Sequence, residues 1–175
     1  MIDFAHVFSV PQLVGYVAFV LGVACFLQKN DLRFKVLLAA ETACYVLHFW
    51  LLGNYAAVAG AGVATLRTVV SIRLRSRRVA LFFIVLTLVL GGWLVESWAG
   101  VLPILACCVG TAAVLLFHGI TMRLLMLLAS FMWLANNILS GSIGGTALEA
   151  CIALSNTYTI WQLWRRPAQL EQATS

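Results

Sequence analysis

Apolar residues run through this chain in seven stretches broken by short polar gaps, at about 11–28, 34–52, 55–73, 79–97, 101–118, 122–140 and 143–164. Each stretch is close to the roughly 20 residues an α-helix needs to cross a ~30 Å hydrocarbon layer, so the pattern predicts an all-α integral membrane protein of seven transmembrane helices. Pro11 and Pro103 open the first and fifth stretches, where a helix has no use for the N–H that proline lacks. The fourth stretch is apolar throughout and reads as a connector. Residues 165–175, with Pro167 near their start, read as a frayed cytoplasmic tail.

The polar gaps fix an orientation. Ten of the eleven Lys and Arg residues fall in alternate gaps or just after the last stretch: Lys29, Arg33 and Lys35; Arg73, Arg75, Arg77 and Arg78; Arg123; Arg165 and Arg166. The gaps around Gly53-Asn54, Glu96-Ser97 and Gly141-Ser142 carry none. Because cytoplasmic loops hold the basic excess, the N-terminus is expected in the periplasm and the C-terminus in the cytoplasm of a bacterial inner membrane. Trp50, Tyr55, Trp93 and Trp98 then gather at outer ends and Trp161 and Trp164 at the inner end, as in an aromatic belt.

A weak repeat runs underneath. A shift of 88 positions lays Lys35 on Arg123, Tyr45 on Trp133, His48 on Asn136, Leu51 on Leu139 and Gly53 on Gly141. Three spans reverse direction, so one added span returns the second repeat to the same sense. The expected plan is two parallel three-helix bundles, 11–73 and 101–164, joined by a linker helix at 79–97 within one membrane domain.

Composition narrows the function classes. With 63% hydrophobic residues, 10% charged residues and a mean hydropathy of +1.00, no polar face remains to bind nucleic acid, and the net charge of +5 sits where anionic lipid headgroups lie. Met1–Ser9 has no basic residue, so the first span is expected to be retained rather than cleaved as a signal peptide. Cys25, Cys44, Cys107, Cys108 and Cys151 all lie in apolar stretches and read as small hydrophobes. Neither a metal site nor a cofactor is expected. There is no phosphate-binding Gly-rich loop with Lys, no nucleophile elbow and no His-Glu-x-x-His helix, so the chain does not read as an enzyme.

The three-plus-one-plus-three plan resembles the SWEET and SemiSWEET sugar carriers of the PQ-loop group. Local likenesses are Val14-Gly15-Tyr16 with Phe26-Leu27-Gln28, and His48-Phe49-Trp50-Leu51-Leu52-Gly53. The chain departs from them in having no proline inside a span and no Pro-Gln pair at the inner end of its first helix, so the hinges that group is thought to use are missing. Asp31-Leu32-Arg33-Phe34-Lys35, His48-Phe49 with Leu51-Leu52-Gly53, Arg67-Thr68, Thr121-Met122-Arg123, and Ser142-Ile143-Gly144-Gly145-Thr146 followed by Glu149 carry a second likeness. Through them nearly the whole chain resembles the YgjV family of bacterial inner-membrane proteins. That likeness implies location and topology and brings no chemistry with it.

Candidate chemistry lies in the ionisable residues within spans, where a charge is costly and marks function or a partner. Glu41 is six residues inside Lys35 and Arg67 six inside Arg73, so both lie ~9 Å from the inner helix ends at 1.5 Å per residue. An ion pair is expected between them, as a lock between helices or an inner gate. Nearer the outer ends, His48, Asn136, Asn137 and Glu149 are expected at one depth, as a cluster that binds a polar solute or relays a proton, or as groups that merely satisfy neighbours across helix contacts. Ala56, Gly60 and Ala64 recur every four residues as a close-packing stripe; Gly141, Gly144 and Gly145 are assigned to the outer turn, and His6 and His118 to solvent.

Two functions fit these features. One is movement of a small polar solute through a cavity between the bundles. The other is a membrane protein that transports nothing and binds a protein or lipid partner. The bilayer, a small polar solute and a second copy of the chain are the partners the sequence admits. A polar cavity favours the first reading, and a dry interface with every charge satisfied favours the second.

Overall fold

A computed structural model describes residues 8–26, 31–74, 76–117 and 119–174. Lys29, Arg75, His6 and His118 lie outside the described residues. Seven α-helices follow in order among those described: α1 Val10–Phe26, α2 Asp31–Leu51, α3 Tyr55–Ser71, α4 Arg77–Leu94, α5 Val101–Leu116, α6 Gly119–Leu139 and α7 Ile143–Thr174, with a 3-10 turn at Trp98–Gly100 leading into α5. The expected stretches match them within a few residues, with one exception. The last helix continues through Pro167 to Thr174, where a frayed tail was expected. The fixed φ of proline suits a helix, and its cost there is one missing N–H bond and a crowded preceding turn.

Arg77–Leu94, Trp98–Leu116 and Ile120–Leu139 are long and apolar enough to cross a membrane, while Val10–Cys25 and Tyr55–Ser71 are shorter apolar helices. The outer surface is apolar to match: Leu81, Phe82, Val89 and Trp93 of α4 are all exposed, Trp93 at 91%. An apolar face of this extent belongs against lipid.

The helices form a closed ring. α1 packs on α2, α2 on α3, α3 on α5, α5 on α6, α6 on α7, and α7 back on α1, while α4 stays outside against α3 and α5. The two contacts that join the halves, α3–α5 and α7–α1, correspond under the 88-residue shift.

That correspondence extends to single hydrogen bonds where α2 turns into α3 and α6 into α7. Gly53 and Gly141 are the only described residues at positive φ, at 73° and 69°. Gly53 N–H donates to Trp50 O and Asn54 N–H to Phe49 O; Gly141 N–H donates to Ile138 O and Ser142 N–H to Asn137 O. Each turn then caps the next helix with a side chain, as Asn54 Oδ1 accepts from Ala57 N–H at 3.0 Å and Ser142 Oγ from Gly145 N–H at 3.2 Å. A left-handed residue at the C-terminal end of a helix reverses the chain and satisfies its last carbonyls, which explains glycine at both places. Gly53→Ala, with nothing within 4 Å of the new methyl, isolates the backbone term. It is expected to cost about 1–2 kcal/mol, read as a lower melting temperature in detergent, whereas Gly92→Ala, in open helical space, is expected to be unchanged or slightly stabilised.

Small residues set how closely the helices approach. Ala56, Gly60 and Ala64 are all buried as expected of the stripe, and a methyl on Gly60 would stand 3.2 Å from Pro103 O on α5. Only Gly141 of the three outer glycines makes the turn. Gly144 and Gly145 lie in the first turn of α7, where Gly144 meets the backbone of Gly15 on α1 and Gly145 meets Asn137. None of the five cysteines forms a disulfide; Cys25 and Cys107 are buried, and Cys151 is exposed.

Candidate functional site: a cavity on the repeat axis

A cavity of about 180 Å³ lies inside the ring. Its wall takes residues from α1, α2, α3, α5, α6 and α7 and none from α4. Most of the lining residues come in pairs 88 positions apart: Gly22 with Gly110, Leu38 with Met126, Glu41 with Ala129, Thr42 with Ser130, Tyr45 with Trp133, Phe49 with Asn137, Ala61 with Glu149, and Ala64 with Ile152, while Cys25, Arg67, Ala106, Cys107 and Val114 are unmatched. The space is thus lined largely by residues that correspond under the 88-residue shift. Small residues at Gly22, Ala61, Ala64, Ala106, Gly110 and Ala129 leave it open.

Three charged side chains face this space: Glu41 from α2, Arg67 from α3 and Glu149 from α7. Glu41 is buried, with 7% of its surface exposed, whereas Arg67 and Glu149 are half-buried. The expected Glu41–Arg67 ion pair is absent: among the described residues neither carboxylate lies within salt-bridge distance of Arg67. Arg67 instead donates from Nη1 to Thr111 Oγ1 on α5 at 2.9 Å, beside Gly110. Counting residues from the basic clusters gives depth along a helix axis but not direction around it, and Arg67 turns toward α5 rather than α2. Glu41 and Glu149 face the same cavity, with Ser130 also on its wall, and Glu149 Oε2 is buried with no partner among the described residues.

Aromatic rings form another part of the wall. Phe49 stacks between Tyr45, at 5.6 Å and 23°, and Trp133, at 5.9 Å and 19°. Tyr45 is 8% exposed, and its hydroxyl has no hydrogen-bond partner; Asn137, at 2% exposed, has an unpartnered Oδ1. Unsatisfied polar atoms are rare in native interiors and each needs a reason.

The expected cluster of His48, Asn136, Asn137 and Glu149 is divided. Asn137 and Glu149 reach the cavity; His48 and Asn136 do not. His48 is fully buried between three helices, with Nδ1 2.7 Å from Pro11 O and Nε2 2.7 Å from Ser142 Oγ. A carbonyl only accepts, so Nδ1 carries the proton and Ser142 donates to Nε2. His48 is thereby satisfied as a neutral latch, with no atom left for a solute. Asn136 plays the corresponding part in the other half, accepting from Asn54 Nδ2 at 2.8 Å. The 88-residue shift carries His48 to Asn136 and Asn54 to Ser142, so these are one bond made twice. Equal depth put the four residues together in the sequence, but His48 and Asn136 point to the helix contacts.

A second cleft, of about 250 Å³, opens at the glycine-turn end among Asn54, Glu96, Ser97, Asn136 and Ser140. Its counterpart in the other half is filled by Gln12, a residue the sequence reading passed over. Gln12 is fully buried, donates from Nε2 to Gly141 O at 2.6 Å and accepts from Ile143 N–H at 3.0 Å. The residue 88 positions on is Gly100, which has no side chain to do this. The available signal was an amide in the first turn of an otherwise apolar helix. At the opposite, basic end Lys35 donates to Ser71 O at 3.0 Å, and Arg123 donates to Asn156 Oδ1 at 3.1 Å.

Comparison with known proteins agrees with this picture of a membrane chain. Residues 9–167 match the Imp-YgjV family model, described as a bacterial inner membrane protein. The chain is 37% identical over 154 residues to inner membrane protein YgjV of Escherichia coli strain K12, covering 88% of this chain and 84% of that protein. No solved structure matches. The chain belongs to the YgjV family of bacterial inner membrane proteins.

Proposed function

We propose that this YgjV-family protein facilitates movement of a small polar solute across the bacterial inner membrane, with no catalytic step of its own. All seven helices span the bilayer in this reading, as two parallel three-helix bundles joined by α4, with the N-terminus periplasmic and the C-terminus cytoplasmic. The supporting observation is the cavity, whose wall carries Glu41, Arg67 and Glu149 together with three of the five buried side-chain polar atoms that lack a partner among the described residues, the other two being Asn136 Nδ2 and Asn156 Nδ2. A dry helix interface has no reason to keep a buried carboxylate oxygen, a tyrosine hydroxyl and an amide oxygen without partners. Glu149 and Asn137 contact solute, and Glu41 and Arg67 form the charged wall nearer the basic end. His48, Asn136, Gln12 and the two glycine turns hold the helix ends that frame it. The SWEET-like plan supports this at the level of fold only, and the YgjV relationship names no solute.

A thermal-shift screen of the purified protein in detergent tests the reading, using sugars, amino acids, nucleosides and organic cations beside Glu149→Gln. A ligand at a hundred times its dissociation constant adds about 2.7 kcal/mol of stability. A shift in the parent that is lost in Glu149→Gln is the expected result. No shift across the panel would favour the alternative of a membrane protein that binds a protein or lipid partner.

A further inference from the structure

We propose that the central cavity exchanges one proton for one monovalent organic cation, the two occupying the Glu41–Glu149 site by turns. The proposal rests on the facilitator reading and assigns its solute class. It starts from the charges that face the cavity. α2 contributes Glu41 and α7 Glu149, and α3 contributes Arg67. The other titratable groups on the wall are Cys25 from α1, Tyr45 from α2 and Cys107 from α5, all neutral as thiol or phenol, and α6 contributes only the neutral Ser130, Asn137 and Trp133 among its polar groups. With both carboxylates ionised, the two negative charges exceed the single positive charge of Arg67 by one. Arginine keeps its proton, so it cannot adjust. A net charge enclosed within a membrane is expensive, and the cavity is neutral only with one further positive charge bound. When the site is empty of solute, a proton on either carboxylate supplies that charge. When a cation enters, the carboxyl group releases its proton to water and the balance is unchanged.

The remaining wall says which kind of cation fits. The unpartnered atoms there, Glu149 Oε2, Asn137 Oδ1 and the Tyr45 hydroxyl, all accept hydrogen bonds. Tyr45 is more than nine-tenths buried and lines the same cavity as both carboxylates. The stacked faces of Tyr45, Phe49 and Trp133 attract a cation through their quadrupoles and accept its methyl or methylene groups. An anion would meet two carboxylates, and a bare metal ion would leave the aromatic wall unused. A small ammonium matches charge, acceptors and rings together, in a space of about 180 Å³.

Tetramethylammonium, which has no N–H but meets acceptors and ring faces with its polarised methyl groups, is a suitable probe because it has no neutral form that crosses lipid by itself. The protein is placed in liposomes containing a pH-sensitive dye, and tetramethylammonium is added outside. The expected result is alkalinisation of the lumen as the cation enters and a proton leaves, absent from protein-free liposomes. Glu149→Gln and Glu41→Gln each keep one carboxylate against Arg67 and so remain folded, but lose the alkalinisation. In detergent, the parent's apparent affinity for tetramethylammonium is expected to weaken about tenfold per pH unit on the acid side, as one proton competes for the site. That dependence is measured on the parent and needs no variant. Uptake of a labelled neutral sugar and of glycine is followed in the same liposomes. Entry of either without a pH change, and with no response to tetramethylammonium, would overturn the exchange and leave the facilitator reading standing. No movement of any solute, with no ligand-induced stabilisation, would overturn both.

Discussion

Gly144→Val is expected to yield no folded protein in the membrane, and Gly144→Ala to yield a strongly destabilised one. Gly144 lies in the first turn of α7, where a methyl group would stand 2.5 Å from Gly15 O, 2.7 Å from Gly15 C and 3.1 Å from Tyr16 N, all backbone atoms of α1. A side chain in that position would rotate away, but a helix backbone can only be displaced as a unit. The α1–α7 contact is one of the two that close the ring, and Gln12 and His48 bind across the same corner. Overpacking a well-fitted contact costs about 1–3 kcal/mol where neighbours can shift, and separating these helices would break the nearby hydrogen bonds as well. Gly22→Ala is the informative comparison. Its methyl would meet the end of the Leu148 side chain at 2.6 Å, and leucine has other rotamers. The order of melting temperatures in detergent is therefore parent, Gly22→Ala, then Gly144→Ala. Gly144→Ala as stable as the parent would mean that α1 and α7 do not approach in this way.

The double substitution Glu41→Gln with Glu149→Gln is expected to be far more damaging than either change alone. With one glutamate left, its carboxylate balances Arg67 across the cavity. With neither, Arg67 is the one charge left among the described residues of the wall, and among them its side-chain hydrogen bond is to the Thr111 hydroxyl. An uncompensated buried charge costs about 3–5 kcal/mol. For a chain of this size that is a fall in melting temperature on the order of 10 °C. Adding Arg67→Met to the double variant removes the orphan charge and is expected to recover most of the loss. Arg67→Met alone is milder than the double glutamine change, because carboxylates can take up protons and a guanidinium cannot release one. Equal stability of the double variant and the parent would show that water, rather than the glutamates, satisfies Arg67.

Much of this arrangement can be read directly from the chain. Apolar length alone places the seven helices, since a run of about 20 apolar residues has few other structures available. The 88-residue repeat is visible in the sequence chiefly where backbone geometry leaves little choice, as at Gly53 and Gly141, which must take a positive φ. Lys35 and Arg123 mark corresponding helix starts for a similar reason: a basic side chain at a helix end is kept out of the apolar layer. These properties belong to single residues or to local segments, so a sequence records them without reference to the rest of the fold.

The site was legible only in part. Glu41, Arg67, Asn137 and Glu149 were found because polar groups within apolar helices are conspicuous, and all four line one cavity. Their pairing was not legible. Residue counting gives height along a helix and says nothing of the neighbour at that height, so the same reasoning joined Glu41 to Arg67 and placed His48 and Asn136 beside Glu149. Rotation about the helix axis, fixed by small-residue contacts such as Gly144 with Gly15 and Gly60 with Pro103, sends Arg67 to Thr111 and His48 to Ser142. The sequence by itself determined how many helices the chain forms, where they begin and end and where the glycine turns fall, because apolar length and backbone conformation act on each segment separately. The tertiary structure decided which polar groups satisfy one another and which remain open to the cavity, because that depends on helix rotation, which is set only when the ring closes.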